Sequence, residues 1–84
     1  MKNRKLSLSQ QMESAKIRLM DEIKTENIFL DAAERKVDAL IAKIKEGDAS
    51  PEVQKELETQ TENVQHIKEK LEKYQSQLKQ LKSA

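Results

Sequence analysis

The side chains in this sequence that could do chemistry are few and scattered. His66 is the single histidine and lies in a polar stretch, whereas a metal site would need several ligands. Glu56 and Glu58 are types that serve as general acid and base, but two residues apart on a helix they lie on different faces. Tyr74 falls on an apolar ladder and is expected to pack. We therefore expect no enzyme activity, no metal and no cofactor.

The strongest pattern in the chain is an apolar ladder in its second half. The steps alternate between four and three residues and average 3.5, which is the repeat of a coiled-coil seam. Only Gln60 interrupts its apolar character. The ladder consists of Val53, Leu57, Gln60, Val64, Ile67, Leu71, Tyr74, Leu78 and Leu81.

The first half carries a matching ladder, and a short breaker separates the two. The breaker runs from Gly47 to Pro51. The first ladder consists of Met12, Lys16, Leu19, Ile23, Glu26, Leu30, Ala33, Val37, Leu40 and Ile44. Two seams around one breaker predict an all-α, two-helix antiparallel coiled-coil hairpin that forms a single domain over residues 1–84. Helix 1 is expected at about 8–46, the turn at 47–50 and helix 2 at about 51–82.

Capping signals support these boundaries. Ser7, with Gln10 three residues later, fits a capping box, and Ser9 is the other candidate N-cap. Gly47 suits the left-handed position after the end of helix 1. Ser50 is placed to cap helix 2, and the proline that follows it is favourable at a first helical position.

The hairpin geometry also fixes a register, in which facing residues have numbers that sum to about 97. Seam positions then meet seam positions throughout. Two layers contain a charge, because Glu26 meets Leu71 and Lys16 meets Leu81. Lys70 is placed to reach Glu26. Polar seam residues of this kind often specify register at some cost in stability.

Charge is sorted along the predicted hairpin although the net charge is only +1. Residues 1–20 hold five Lys/Arg and one Glu (+4), and residues 65–84 hold five Lys and two Glu (+3). Residues 21–64 hold six Lys/Arg and twelve Asp/Glu (−6). The open end is therefore basic, either as ordinary surface or as a site for an acidic partner or anionic surface.

Several classes of function are disfavoured by composition. The basic end contains Lys2, Arg4, Lys5, Lys79 and Lys82 but no interleaved aromatic residues, so nucleic-acid binding is not expected. No apolar run is long enough for a transmembrane segment, and no apolar region follows the basic N-terminus as it would in a signal peptide. With no cysteine, the chain fits a cytoplasmic location.

A second apolar stripe lies on helix 1, away from the seam. Its residues are Ile17, Met20, Lys24 and Ile28. Phe29 and Ile41 flank the seam and are expected to widen the core, whereas Ile17 and Ile28 cannot. An exposed stripe typically marks an interface, although isolated apolar surface residues are also normal. A further alternative is burial between two hairpins in a four-helix bundle.

The chain resembles the HR1 repeats, antiparallel coiled-coil fingers of protein kinase N-type kinases and F-BAR adaptors. The stretch Arg18–Glu26 follows a similar Arg-Leu-x-x-Glu-Ile-basic-x-Glu pattern, and residues 32–34 stand where the family has Gly-Ala-Glu. The turn at 47–50 resembles that of the F-BAR type. The resemblance covers about residues 13–82. It implies binding of a GTP-loaded Rho-family GTPase, with Gly47 and Asp48 carried over by motif.

Together these patterns predict a non-catalytic protein–protein interaction module. The expected binding residues are Ile17, Met20, Lys24, Ile28, Gly47 and Asp48. A self-associating structural or scaffold hairpin, or a small helical co-chaperone that shields a partner's helix, are the alternatives.

Overall fold

The computed structural model describes residues 7–83, which form two long helices joined by a short turn. Helix α1 spans Leu8–Lys45 and helix α2 spans Pro51–Ser83. The helices pack against each other, and the described residues contain no strand. The predicted all-α helical hairpin is therefore confirmed. At 1.5 Å per residue, α1 is about 57 Å long.

Helix α1 begins with the capping box that the sequence indicated. Ser7 is the N-cap, and its Oγ accepts a hydrogen bond from the Gln10 amide at 3.1 Å. The Ser7 amide donates in return to Oε1 of Gln10 at 3.0 Å. Ser7 rather than Ser9 is thus the residue that satisfies the free amides of the first turn.

Helix α1 ends in a Schellman motif built around glycine. Glu46 is the C-cap, and Gly47 follows it with φ of +102°, in the left-handed region that favours glycine. The Gly47 amide donates to the Ile44 carbonyl at 3.0 Å, and the Asp48 amide donates to the Lys43 carbonyl at 2.9 Å. These two bonds satisfy carbonyls that the helix end would otherwise leave free.

Helix α2 starts immediately after this turn. Ser50 Oγ accepts from the Val53 amide at 3.3 Å, so Ser50 is the N-cap and Pro51 the first helical residue, as predicted. The side-chain amide of Gln54 reaches back and donates to the Ala49 carbonyl at 2.8 Å. Hydrogen bonds to residues of both helices therefore stabilise the turn.

Burial follows the two ladders residue by residue. In α2, the residues that are not exposed are the nine ladder positions. In α1, the ten ladder positions are buried or half-buried, joined only by Ala15 and Glu22. The most buried cluster is in the middle of the hairpin and consists of Ala33, Ile67 and Leu71, with Ile23, Leu30 and Val64 packed against it. This single seam is the core.

Two charged residues lie in the seam, since Lys16 and Glu26 are both half-buried. The Glu26 side chain is only 14% exposed, and its Oε2 is 3.9 Å from Nζ of Lys70, as the register predicted. Glu34 and Lys68 form a second ion pair between the helices, also at 3.9 Å. Each pair has at least one partner that is close to half exposed, and ion pairs of this kind add little stability.

Candidate protein-interaction surface

In the described part of the chain, exposed large apolar side chains are confined to one helix. Within residues 7–83, every large apolar side chain that is exposed belongs to α1. Ile17, Met20 and Ile28 remain 55%, 54% and 61% exposed. On α2 the apolar residues all lie in the seam and are buried or half-buried. Among residues 7–83, the exposed large apolar residues are therefore all on α1, and Ile17, Met20 and Ile28 share one side of it.

We call Ile17, Met20, Lys24 and Ile28 the outer face of α1. Met20, Lys24 and Ile28 line an open groove of about 600 Å³. The seam residues Ile23 and Leu78 also line it, so the groove reaches from the outer face to the edge of α2. Ile17 lies one turn toward the N-terminus and does not line this groove. Apolar grooves of this kind receive amphipathic helices in other protein complexes.

A cation lies among the apolar side chains of this face. Lys24 is exposed and takes part in none of the three ion pairs found among residues 7–83. Asp31, also on the groove, is paired with Arg35 at 3.1 Å. A complementary partner would therefore present apolar side chains together with a carboxylate that can meet Lys24.

The structure does not bring Gly47 and Asp48 to the same site as the outer face. Seventeen residues of helix separate Ile28 from the end of α1 at Lys45, which corresponds to about 26 Å. Moreover, the Gly47 and Asp48 amides are already used to cap α1. A partner that touched both regions would have to follow most of the length of α1.

Phe29 is also exposed, but it lies on another side of α1 from the outer face. It is 54% exposed and borders a shallow cleft with Glu26, His66 and Lys70. The expectation that Phe29 widens the core is wrong, because a hairpin of two helices has no third layer to cover it. Ile41 is 38% exposed, so it is covered in part and widens the core more than Phe29 does.

The remaining features of the surface give no second site. Among residues 7–83 no group of three or more His, Cys, Asp and Glu side chains could hold a metal ion. No helix in that range is long and apolar enough to cross a membrane. At the basic end, Lys79 and Lys82 are exposed on the last turns of α2. Lys2, Arg4 and Lys5, which supply the rest of that charge, lie outside the described residues.

No family model matches the chain, and no curated protein or solved structure matches it. The resemblance to HR1 repeats therefore depends on the quoted residues alone.

Proposed function

We propose that this hairpin is a non-catalytic protein–protein interaction module and that the outer face of α1 is its binding surface. The observation that carries the proposal is the confinement of exposed large apolar residues to α1, where three of them follow one stripe. Scattered apolar residues are normal on protein surfaces. A stripe that borders a groove on one of two otherwise similar helices is the pattern of an interface.

The proposed partner is a GTP-loaded Rho-family GTPase, and the proposed setting is cytoplasmic signalling. Support comes from the HR1-like stretch Arg18–Glu26, which contains Met20 and Lys24 of the outer face. The residues that carry the resemblance and the residues that form the exposed stripe thus overlap. Lys24 would meet a carboxylate of the GTPase, and Ile17 and Ile28 would pack on either side of that contact.

An NMR titration tests this proposal. Isotopically labelled hairpin is titrated with a panel of Rho-family GTPases, each loaded with GDP or with a non-hydrolysable GTP analogue. We expect shifts with the GTP-analogue form of one GTPase, centred on Ile17 to Ile28. Shifts confined to α2, or equal shifts with both nucleotide forms, would contradict the proposal.

Two variants with matched chemistry locate the surface. Ile17→Asp/Ile28→Asp places carboxylates in the outer face and should abolish binding while helicity is unchanged, since both side chains are more than half exposed. Phe29→Asp is the control, because Phe29 is an equally exposed apolar residue on another side of the same helix. Binding should survive in Phe29→Asp. Retained binding in the double variant would exclude the outer face.

Two other occupants of the same surface are alternatives. One is a second copy of this chain in a structural or scaffold assembly, which would raise the mass above 9.7 kDa with concentration. The other is a helix of a single cognate protein, as for a small co-chaperone, and that protein would co-purify. Of these two alternatives, the order of apolar and charged residues along α1 favours the second copy of the chain.

A further inference from the structure

Four exposed residues along α1 form a short seam of their own. Ile17, Asp21, Lys24 and Ile28 are separated by four, three and four residues. This is the spacing that keeps side chains in line along a coiled coil. Their order is apolar, acidic, basic, apolar. If a second α1 helix runs in the opposite direction, each of these positions faces its chemical complement. Ile17 then faces Ile28, and Asp21 faces Lys24.

We propose that two copies of the hairpin associate through this seam, with α1 of one copy antiparallel to α1 of the other. Ile17 then packs on Ile28 of the second copy, and Asp21 pairs with Lys24 of the second copy. The two-fold axis repeats both contacts, which gives two Ile–Ile layers outside two Asp–Lys layers. The proposal rests on the proposed function, because it takes the outer face of α1 to be a binding surface.

The side chains required for these contacts are available. Ile17 and Ile28 are 55% and 61% exposed, and Asp21 and Lys24 are also exposed. The ion pairs found among residues 7–83 involve neither Asp21 nor Lys24. Both charges are therefore free to pair across the interface. Met20 lies beside the seam on the groove and would be covered at the same time.

Charge complementarity selects the antiparallel orientation. In a parallel pair of α1 helices, each seam residue would meet its own counterpart, so Asp21 would face Asp21 and Lys24 would face Lys24. Like charges in direct contact strongly disfavour association. The antiparallel pair replaces both repulsive contacts by attractive ones. Helix α2 offers no competing surface, since its apolar residues are in the hairpin seam.

The same register extends beyond these four residues without a clash on the seam. Ser14 would face Asp31 of the second copy, and Gln10 would face Arg35. On the flank, Glu13 would approach Glu34 of the second copy, but Glu34 is already paired with Lys68 in its own hairpin. The contact would therefore cover α1 from about residue 10 to residue 35. The dimer covers the same surface as the proposed GTPase, so the two must compete.

Charge exchange between Asp21 and Lys24 tests both the dimer and its register. The variants are Asp21→Lys, Lys24→Asp and the double variant, studied as full-length chains by sedimentation equilibrium at increasing concentration. Wild type should rise from 9.7 kDa toward twice that mass. Each single variant creates two like-charge contacts and should weaken association by about tenfold or more.

Two further samples distinguish this register from a non-specific apolar contact. An equimolar mixture of the two single variants should form a heterodimer, because one chain then carries two lysines and the other two aspartates at the facing positions. The double variant should recover the homodimer. Phe29→Asp should associate like wild type. Recovery in the mixture also shows that both single variants are folded.

Other outcomes overturn the proposal. A wild-type chain that stays at 9.7 kDa at all concentrations would exclude the dimer. If each single variant associates weakly and the mixture of the two does not form the heterodimer, this register is excluded. Either result leaves the proposed function standing if Ile17→Asp/Ile28→Asp still abolishes GTPase binding. If wild type binds none of the GTPases but forms the dimer, the GTPase is rejected and the second copy of the chain is kept as the partner.

Discussion

Replacing Glu26 by leucine should stabilise the hairpin. Glu26 lies in the seam opposite Leu71, and its side chain is only 14% exposed. Lys70, which approaches it at 3.9 Å, is 45% exposed and remains largely in water. The Glu26 side chain is therefore mostly covered, and its only ion-pair partner is distant and partly exposed. A leucine would place an apolar side chain at a seam position that faces the apolar ladder of α2.

The size of the effect follows from three contributions. Full burial of a leucine side chain contributes about 1.5–3 kcal/mol, but the aliphatic stem of Glu26 already supplies part of that. Loss of the ion pair costs about 0.2–1 kcal/mol, typical of a partly exposed pair. The net gain in the free energy of unfolding is about 1–2 kcal/mol. For a domain of this size each kcal/mol raises Tm by about 4–8 °C.

Urea unfolding followed by circular dichroism at 222 nm measures this free energy. Glu26→Gln is the matched control, because it keeps the shape of the side chain and removes only its charge. Lys70→Ala should lower stability by up to about 1 kcal/mol, and the double variant Glu26→Leu/Lys70→Ala should be as stable as Glu26→Leu alone. The unfolding midpoints are compared in the range of low protein concentration where they do not change with concentration, since dimerisation would add apparent stability.

Two results would refute this reasoning. If Glu26→Leu is less stable than wild type, the carboxylate at this seam position contributes more to the free energy of unfolding than an apolar side chain does. If Lys70→Ala lowers stability by more than about 2 kcal/mol, the Glu26–Lys70 pair behaves as a buried pair rather than a half-solvated one.

Two further predictions concern the turn and the core. Gly47→Ala should destabilise the hairpin by about 1–2 kcal/mol, because φ of +102° is strained for any residue with a Cβ although no neighbouring atom lies within 4 Å. Gly47→Asn should lose less stability in the same urea titration. An equal loss in both variants would point to a cause other than backbone strain. Leu71→Ala should cost about 2–4 kcal/mol, since Leu71 is 6% exposed in the central cluster; a thermal melt close to that of wild type would show that the seam repacks.

The fold could be predicted from the sequence because one physical rule governs it. A 4-3 ladder on each side of a Gly-to-Pro breaker specifies which side chains face each other, and the buried residues of α2 coincide with that ladder. Ala15 and Glu22 were not anticipated as half-buried, since neither belongs to the apolar ladder. The exposure of Phe29 was also missed, because apolar character alone does not reveal that no third layer covers it.

Less of the candidate site could be predicted from the sequence. Periodicity places Ile17 and Ile28 on the side of α1 that faces away from α2, and both are more than half exposed. Periodicity does not show that Met20, Lys24 and Ile28 border a groove that reaches Leu78 of the other helix. The titration and the charge-exchange experiments decide whether a GTPase or a second copy of the chain occupies this surface.

The construction of the turn has a consequence for how two chains can meet. If residues 46–50 became helical, α1 and α2 would merge into one rod, and its two seams would pair with those of another chain in a domain exchange. Pro51 opposes this, because in a continuous helix it could not donate to the Gly47 carbonyl and its ring would collide with it. The Schellman bonds of Gly47 and Asp48 stabilise the closed form instead. The hairpin seam between α1 and α2 is thus reserved for contacts within one chain. Association between chains can use only the surfaces that the closed hairpin leaves free.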